Sequence, residues 1–112
     1  MAEIMDLARD LGKAMAQSNQ AAKLRAARAE LGKHPDLLQT MQTYEQQADK
    51  MAQAEAENKP IEVEDKRRLE ALHGKLVGSD VFKRYTSAQV EYIDLLRRVN
   101  EALRSELSAT EG

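Results

Sequence analysis

Apolar residues recur at steps of three and four along almost the whole of this 112-residue chain, and few helix breakers interrupt them. That spacing follows a turn of about 3.6 residues, so it specifies amphipathic helices and not strands, whose apolar residues would alternate. The two prolines, Pro35 and Pro60, and the glycines Gly32 and Gly78 divide the pattern into four predicted helices.

The first predicted helix runs from Ile4 to Leu31, with Ile4, Leu7, Leu11, Ala14, Ser18, Ala21, Leu24, Ala27 and Leu31 on one stripe. Gly32 offers a left-handed cap after it. Pro35 suits the first turn of a second helix, where a missing N–H is no loss, and Asp36 complements the dipole there. This second helix extends to Glu57, where Asn58 can take the left-handed cap and Pro60 prevents continuation. A third, shorter helix covers Val63–Val77, with Glu62, Glu64 and Asp65 at its positive end. Ser79 is the expected N-cap of the fourth. On that helix Val81, Tyr85, Ala88, Tyr92, Leu95, Val99 and Leu103 form a stripe ending near Leu107, with Asp94–Arg98 and Arg97–Glu101 pairs on the wet face.

The expected fold is therefore all-α: an antiparallel helical bundle of about four helices with long first and last members. Residues 4–107 form one domain and 108–112 a frayed tail. Phe82 is the only phenylalanine, tryptophan is absent, and the tyrosines are Tyr44, Tyr85 and Tyr92. A core of Leu, Ala, Met, Ile and Val buries little area per residue, and a short third helix cannot cover two long neighbours. Completion of the bundle by a second copy of the chain is the expected remedy. The predicted packing or oligomer seam comprises Leu7, Leu11, Tyr85, Ala88, Tyr92, Leu95, Val99 and Leu103. Met5, Met15, Met41 and Met51 sit at helical spacing and are read as core filling.

Composition excludes several functions. Net charge is −2, spread evenly, and Lys66-Arg67-Arg68 stands beside Glu62, Glu64 and Asp65. No basic stripe of the kind direct nucleic-acid binding needs is present. No apolar run approaches the about 20 residues that span a bilayer, and Asp6 and Glu3 stand where a signal peptide would be basic. Cysteine is absent, which removes disulfides and thiolate metal sites and fits a cytoplasmic location.

Catalytic chemistry finds little support. Glu70-x-x-His73 is half of a carboxylate di-metal signature, but the other histidine, His34, has Glu30 at a spacing of four and not three. No nucleophile motif or Gly-rich phosphate loop occurs. The chain is read as non-enzymatic, without catalytic, cofactor or metal residues.

The order of these signals has a further implication. Leu11-Gly12 and Ser18 lie on the first helix, His34-Pro35-Asp36 starts the next, and a Gln-rich helix leads to Pro60-Ile61-Glu62-Val63-Glu64-Asp65. Ser79-Asp80-Val81 then opens a helix carrying Tyr85, Ala88, Tyr92, Leu95, Leu96, Val99 and Asn100. In this order the chain resembles the YlbF/YmcA family of small bacterial helical proteins across residues 4–107. The resemblance implies self-association, no catalytic site, and a regulatory role in competence, sporulation and biofilm formation. Some members act as adaptors in a complex influencing messenger-RNA processing by a membrane-bound ribonuclease. Members that help hold an iron–sulfur cluster use cysteines, so that cofactor does not carry over, and this chain resembles the cysteine-free branch. Gln89 stands where an acid is frequent in the family, and Asn58 where Gly is.

The expected function is thus that of a cytoplasmic regulator or adaptor whose partners are itself, as a homodimer or higher, and other proteins. It engages neither nucleic acid directly nor membrane. The alternative is a structural coiled-coil subunit of a larger assembly. Because the Glu70–His73 signature is incomplete, a chelator is expected to leave the thermal midpoint unchanged; a drop restored by one specific metal would contradict this reading.

Overall fold

The computed structural model describes residues 3–111, with side chains described for 3–109. It is all-helical, with five helices: α1 (Ile4–Ala16), α2 (Asn19–Leu31), α3 (Pro35–Ala56), α4 (Val63–Val77) and α5 (Asp80–Glu111). Two compact units are distinguishable: Met1–Arg28 with Tyr85–Gly112, and Ala29–Arg84.

The predicted first helix is in fact two. α1 closes at Gln17, whose N–H donates to the Lys13 carbonyl, and Ser18 N–H turns back to Met15 O. Ser18 then acts twice. Its hydroxyl donates to Met15 O at 2.6 Å and accepts the Ala21 N–H at 3.1 Å, the bond an N-cap makes to the third residue of a helix. The Arg25 guanidinium caps α1 from outside by donating to Ala16 O at 2.9 Å. A serine on an apolar stripe reads as a tolerated polar member, but serine also competes for backbone bonds, and here that competition ends one helix and starts another.

Two other helix ends differ from expectation. Among the described residues no glycine has positive φ, so Gly32 is not a left-handed cap. α5 continues past Leu107 to Glu111, which carries helix into the predicted tail; Gly112 lies outside the described residues.

The remaining boundaries follow local chemistry. Pro35 lies in the first turn of α3 with Asp36. Asn58 adopts φ 57°, and the pair of bonds Lys59 N→Ala54 O (2.8 Å) and Asn58 N→Glu55 O (3.1 Å) forms a Schellman closure. Asn is among the few non-glycine residues that tolerate this conformation, so Asn58 can hold the turn. Ser79 caps α5 by accepting the Phe82 N–H at 3.2 Å.

Within the second unit, α3 and α4 form an antiparallel hairpin. Gln47 and Lys50 of α3 meet Asp65 early in α4, whereas Tyr44 meets His73 further along it, with ring centroids 6.1 Å apart. Gln47 is buried. Its amide donates to both the backbone carbonyl of Asp65 (3.1 Å) and its carboxylate (3.3 Å), which meets the requirement that a buried polar group find partners. Buried Leu76 supplies the apolar closure of α4. In the first unit, Ala21 and Leu24 of α2 and Ala88 of α5 are buried, and Lys23 pairs with Glu91 at 3.4 Å to join the same two helices.

Two outcomes follow from these contacts. The Gln47 amide, with Lys50 and Arg68 adding to it, holds the Asp65 carboxyl below its ordinary pKa despite partial desolvation. A carboxyl with a lower pKa folded than unfolded contributes stability that is complete above the unfolded value and lost as pH falls through the folded one. Asp65→Asn is therefore expected to flatten the decline of the thermal midpoint as pH falls through and below the ordinary aspartate range, as followed by circular dichroism. On α5, Ala88 lies between Tyr85 and Tyr92 on the covered stripe, so Ala88→Glu should cost on the order of 3 kcal/mol in urea melts by adding volume and an unpaired charge. Glu91→Ala, on the exposed side of the same turn, should be nearly neutral. Equal losses in both would show the helix phase to be wrong.

Candidate functional site

The side chains that could carry chemistry do not converge. His73 is exposed and its ring stacks at a tilt against Tyr44, while Glu70 is exposed on the same helix. His34 meets Glu30 at 3.4 Å. His34 first, then Lys33, hold the Glu30 carboxyl below its usual value, an ordinary consequence of an i,i+4 neighbour on a helix end. Among the described residues no three metal-ligating side chains gather.

The hollows are equally plain. One groove of about 530 Å³ runs between α2 and α5. Its charges are already consumed, because Lys23 pairs with Glu91 and Arg98 with Asp94 at 3.1 Å. A second, of about 580 Å³, lies at the α3–α4 turn around Asn58, Pro60 and Lys66. Neither holds a nucleophile beside a base.

What the structure does present is apolar surface. α1 has no buried residue. Its apolar side carries Ile4, 79 % exposed, Leu7, 56 % exposed, and Leu11, while Asp6, Arg9, Asp10 and Lys13 occupy the other side and Arg9 pairs with Asp6 at 3.1 Å. Such strict segregation is what a helix needs to lie on an apolar partner. α5 carries a second strip: Ile93, Leu96, Leu103 and Leu107 are all exposed, Leu103 at 51 %.

The eight residues of the predicted seam are thus placed unequally. Ala88 is buried, and Tyr85, Tyr92, Leu95 and Val99 are half-buried. Leu7, Leu11 and Leu103 are exposed. Sequence reasoning overlooked the neighbouring row of Ile93 and Leu96. On a helix this row lies beside Tyr92, Leu95 and Val99, so α5 carries one wide apolar band whose two sides are covered unequally. The alternating steps of three and four from Ile93 to Leu107 were the available signal.

The wet face of α5 carries a cluster of ion pairs around Arg97. Arg97 bonds Asp94 at 2.7 Å and Glu101 at 2.6 Å. The Arg97 guanidinium, assisted by Arg98, holds Asp94 below the usual carboxylate range, and Asp94 in turn raises the already high pKa of Arg97. These exposed pairs give the helix a neutral outer side and little stability of their own.

Among the described residues no helix is long and apolar enough to cross a membrane. No curated protein and no solved structure matches the chain. The family model described as control of competence regulator ComK, YlbF/YmcA, matches residues 4–108. That match extends from the first residue of α1 almost to the end of α5, and on its strength the chain belongs to the YlbF/YmcA family.

Proposed function

We propose that this protein is a non-enzymatic cytoplasmic regulator that acts as an adaptor, binding a second copy of itself and other proteins through its apolar helix faces. The observation that carries this reading is the exposure of Ile4, Leu7 and Leu11 on α1 together with Ile93, Leu96 and Leu103 on α5. Large exposed apolar strips are uncommon on monomers and mark interaction sites. Membership of a family that controls a competence regulator agrees with a role exerted through other proteins.

Energetics point the same way. The buried apolar residues are small or few, with Ala21 and Ala88 among them, so the isolated chain has little stability to spare. Covering apolar surface contributes about 25 cal/mol per Å², and several hundred Å² covered by a second copy would rival the whole stability of a typical domain. In this reading the predicted antiparallel bundle is completed between copies, and the seam residues of α1 and α5 divide between packing within the chain and contacts outside it.

Mass action tests it. A native oligomer that unfolds to monomers melts at a higher temperature when more concentrated. Over a roughly hundred-fold dilution the thermal midpoint is expected to fall by several degrees, with light scattering giving a dimer or another closed oligomer at the concentrated end. A monomer with a concentration-independent midpoint would remove self-association, and an open-ended polymer would favour a structural coiled-coil subunit.

A further inference from the structure

The main-chain ladder that would tie α1 to α2 is cut at the turn between them. In a continuous helix the carbonyls of Met15 and Ala16 would accept the N–H groups of Asn19 and Gln20. Here Met15 O accepts instead from Ser18, through both its N–H and its hydroxyl, and Ala16 O accepts from the Arg25 guanidinium. α2 is anchored by buried Ala21 and Leu24, but its helical order does not pass along the backbone into α1.

Left to itself, α1 is close to its limit. It is 13 residues long, and isolated helices shorter than about 12–15 residues are marginal in water because a costly nucleus supports few hydrogen bonds. Glu3, which precedes it, makes no side-chain cap, and no residue of the helix is buried. Gly12 stands in its interior. A Cβ placed there meets nothing within 4 Å among the described residues, so no close approach requires glycine. Compared with alanine, it nevertheless shifts the local balance about five-fold towards coil. The Arg9–Asp6 pair is exposed and offsets little of this.

We propose that α1 is a coil–helix switch. It melts and reforms as one segment while the rest of the fold stays intact, and it is fully helical only when the side carrying Ile4, Leu7 and Leu11 is covered. Its bearing on binding rests on the adaptor reading, because a partner of that side captures only the helical fraction; the separate melting stands without it.

Amide hydrogen exchange of the full chain, followed by mass spectrometry on overlapping peptides, tests this at a dilution where light scattering gives a single chain. Where dilution does not reach the monomer, Leu7→Glu keeps helix propensity but denies cover to the apolar side. Amides of Ala8–Ala16 are expected to exchange at least about ten-fold faster than those of Leu24–Leu31. Gly12→Ala should slow them about three- to five-fold throughout the segment, with α2 and α5 unchanged. Equal protection of the two stretches, or a slowing by Gly12→Ala that extends equally to α2 and α5, makes α1 part of the common fold and overturns the switch. Protection that merely declines towards Ile4 is end fraying and overturns it as well. Fast, uniform exchange of α1 in a chain that is monomeric at every concentration upholds the switch and removes self-association, so the two fail separately.

Discussion

Burial of apolar surface is the scarce quantity in this protein, and most other features can be traced to it. Ala21, Leu24, Leu31, Leu76 and Ala88 are the buried apolar residues described, and none of the large side chains is fully enclosed. Alanine permits close approach of helices but removes little area from water. A small domain already keeps a large share of its surface wet, and one built from alanine and leucine with few aromatics keeps more. One side of the apolar band of α5 and the apolar side of α1 are therefore left uncovered within the chain itself.

Polar groups provide definition where burial is thin. Ser18, Asn58 and Ser79 close helix ends through hydrogen bonds that would otherwise be unmet. Gln47 fixes the α3–α4 hairpin by donating twice to Asp65. A buried amide tied to one backbone carbonyl and one carboxylate tolerates far fewer alternative alignments than two leucines would. The exposed ion pairs of α5 serve mainly to keep one side of a long helix wet, and that in turn orients its apolar band.

These properties bear on function without requiring any catalytic centre. The titratable side chains are dispersed, and the carboxylates whose pKa is lowered owe the shift to basic or amide partners beside them. The proposed adaptor role rests on the uncovered apolar faces of α1 and α5. In the proposed reading this YlbF/YmcA protein acts through what those faces bind.

Local signals are legible in the sequence by itself. Pro35 begins α3, the Asn58–Pro60 segment ends it, α4 runs from Val63 to Val77, and Ser79 opens α5, because each of these is decided by the conformational limits of one or two residues. The i,i+3 and i,i+4 pairs around Asp94 and Arg97 are equally local. The break at Ser18 is not, since a serine on a helical stripe can either stay in the helix or cap the next one, and side chains such as Arg25 on Ala16 tip that balance. Burial lies beyond local signals altogether. The stripe from Ile4 to Leu31 is uniform in sequence, yet its first half is exposed and Ala21, Leu24 and Leu31 are buried. That difference depends on which distant segment arrives: Glu91 reaches Lys23 across 68 residues of chain, and a polar Gln47 is buried because Asp65 comes to receive it. Periodicity determines which side of a helix is apolar, but only tertiary structure decides whether anything covers it, because cover is supplied by residues remote in sequence.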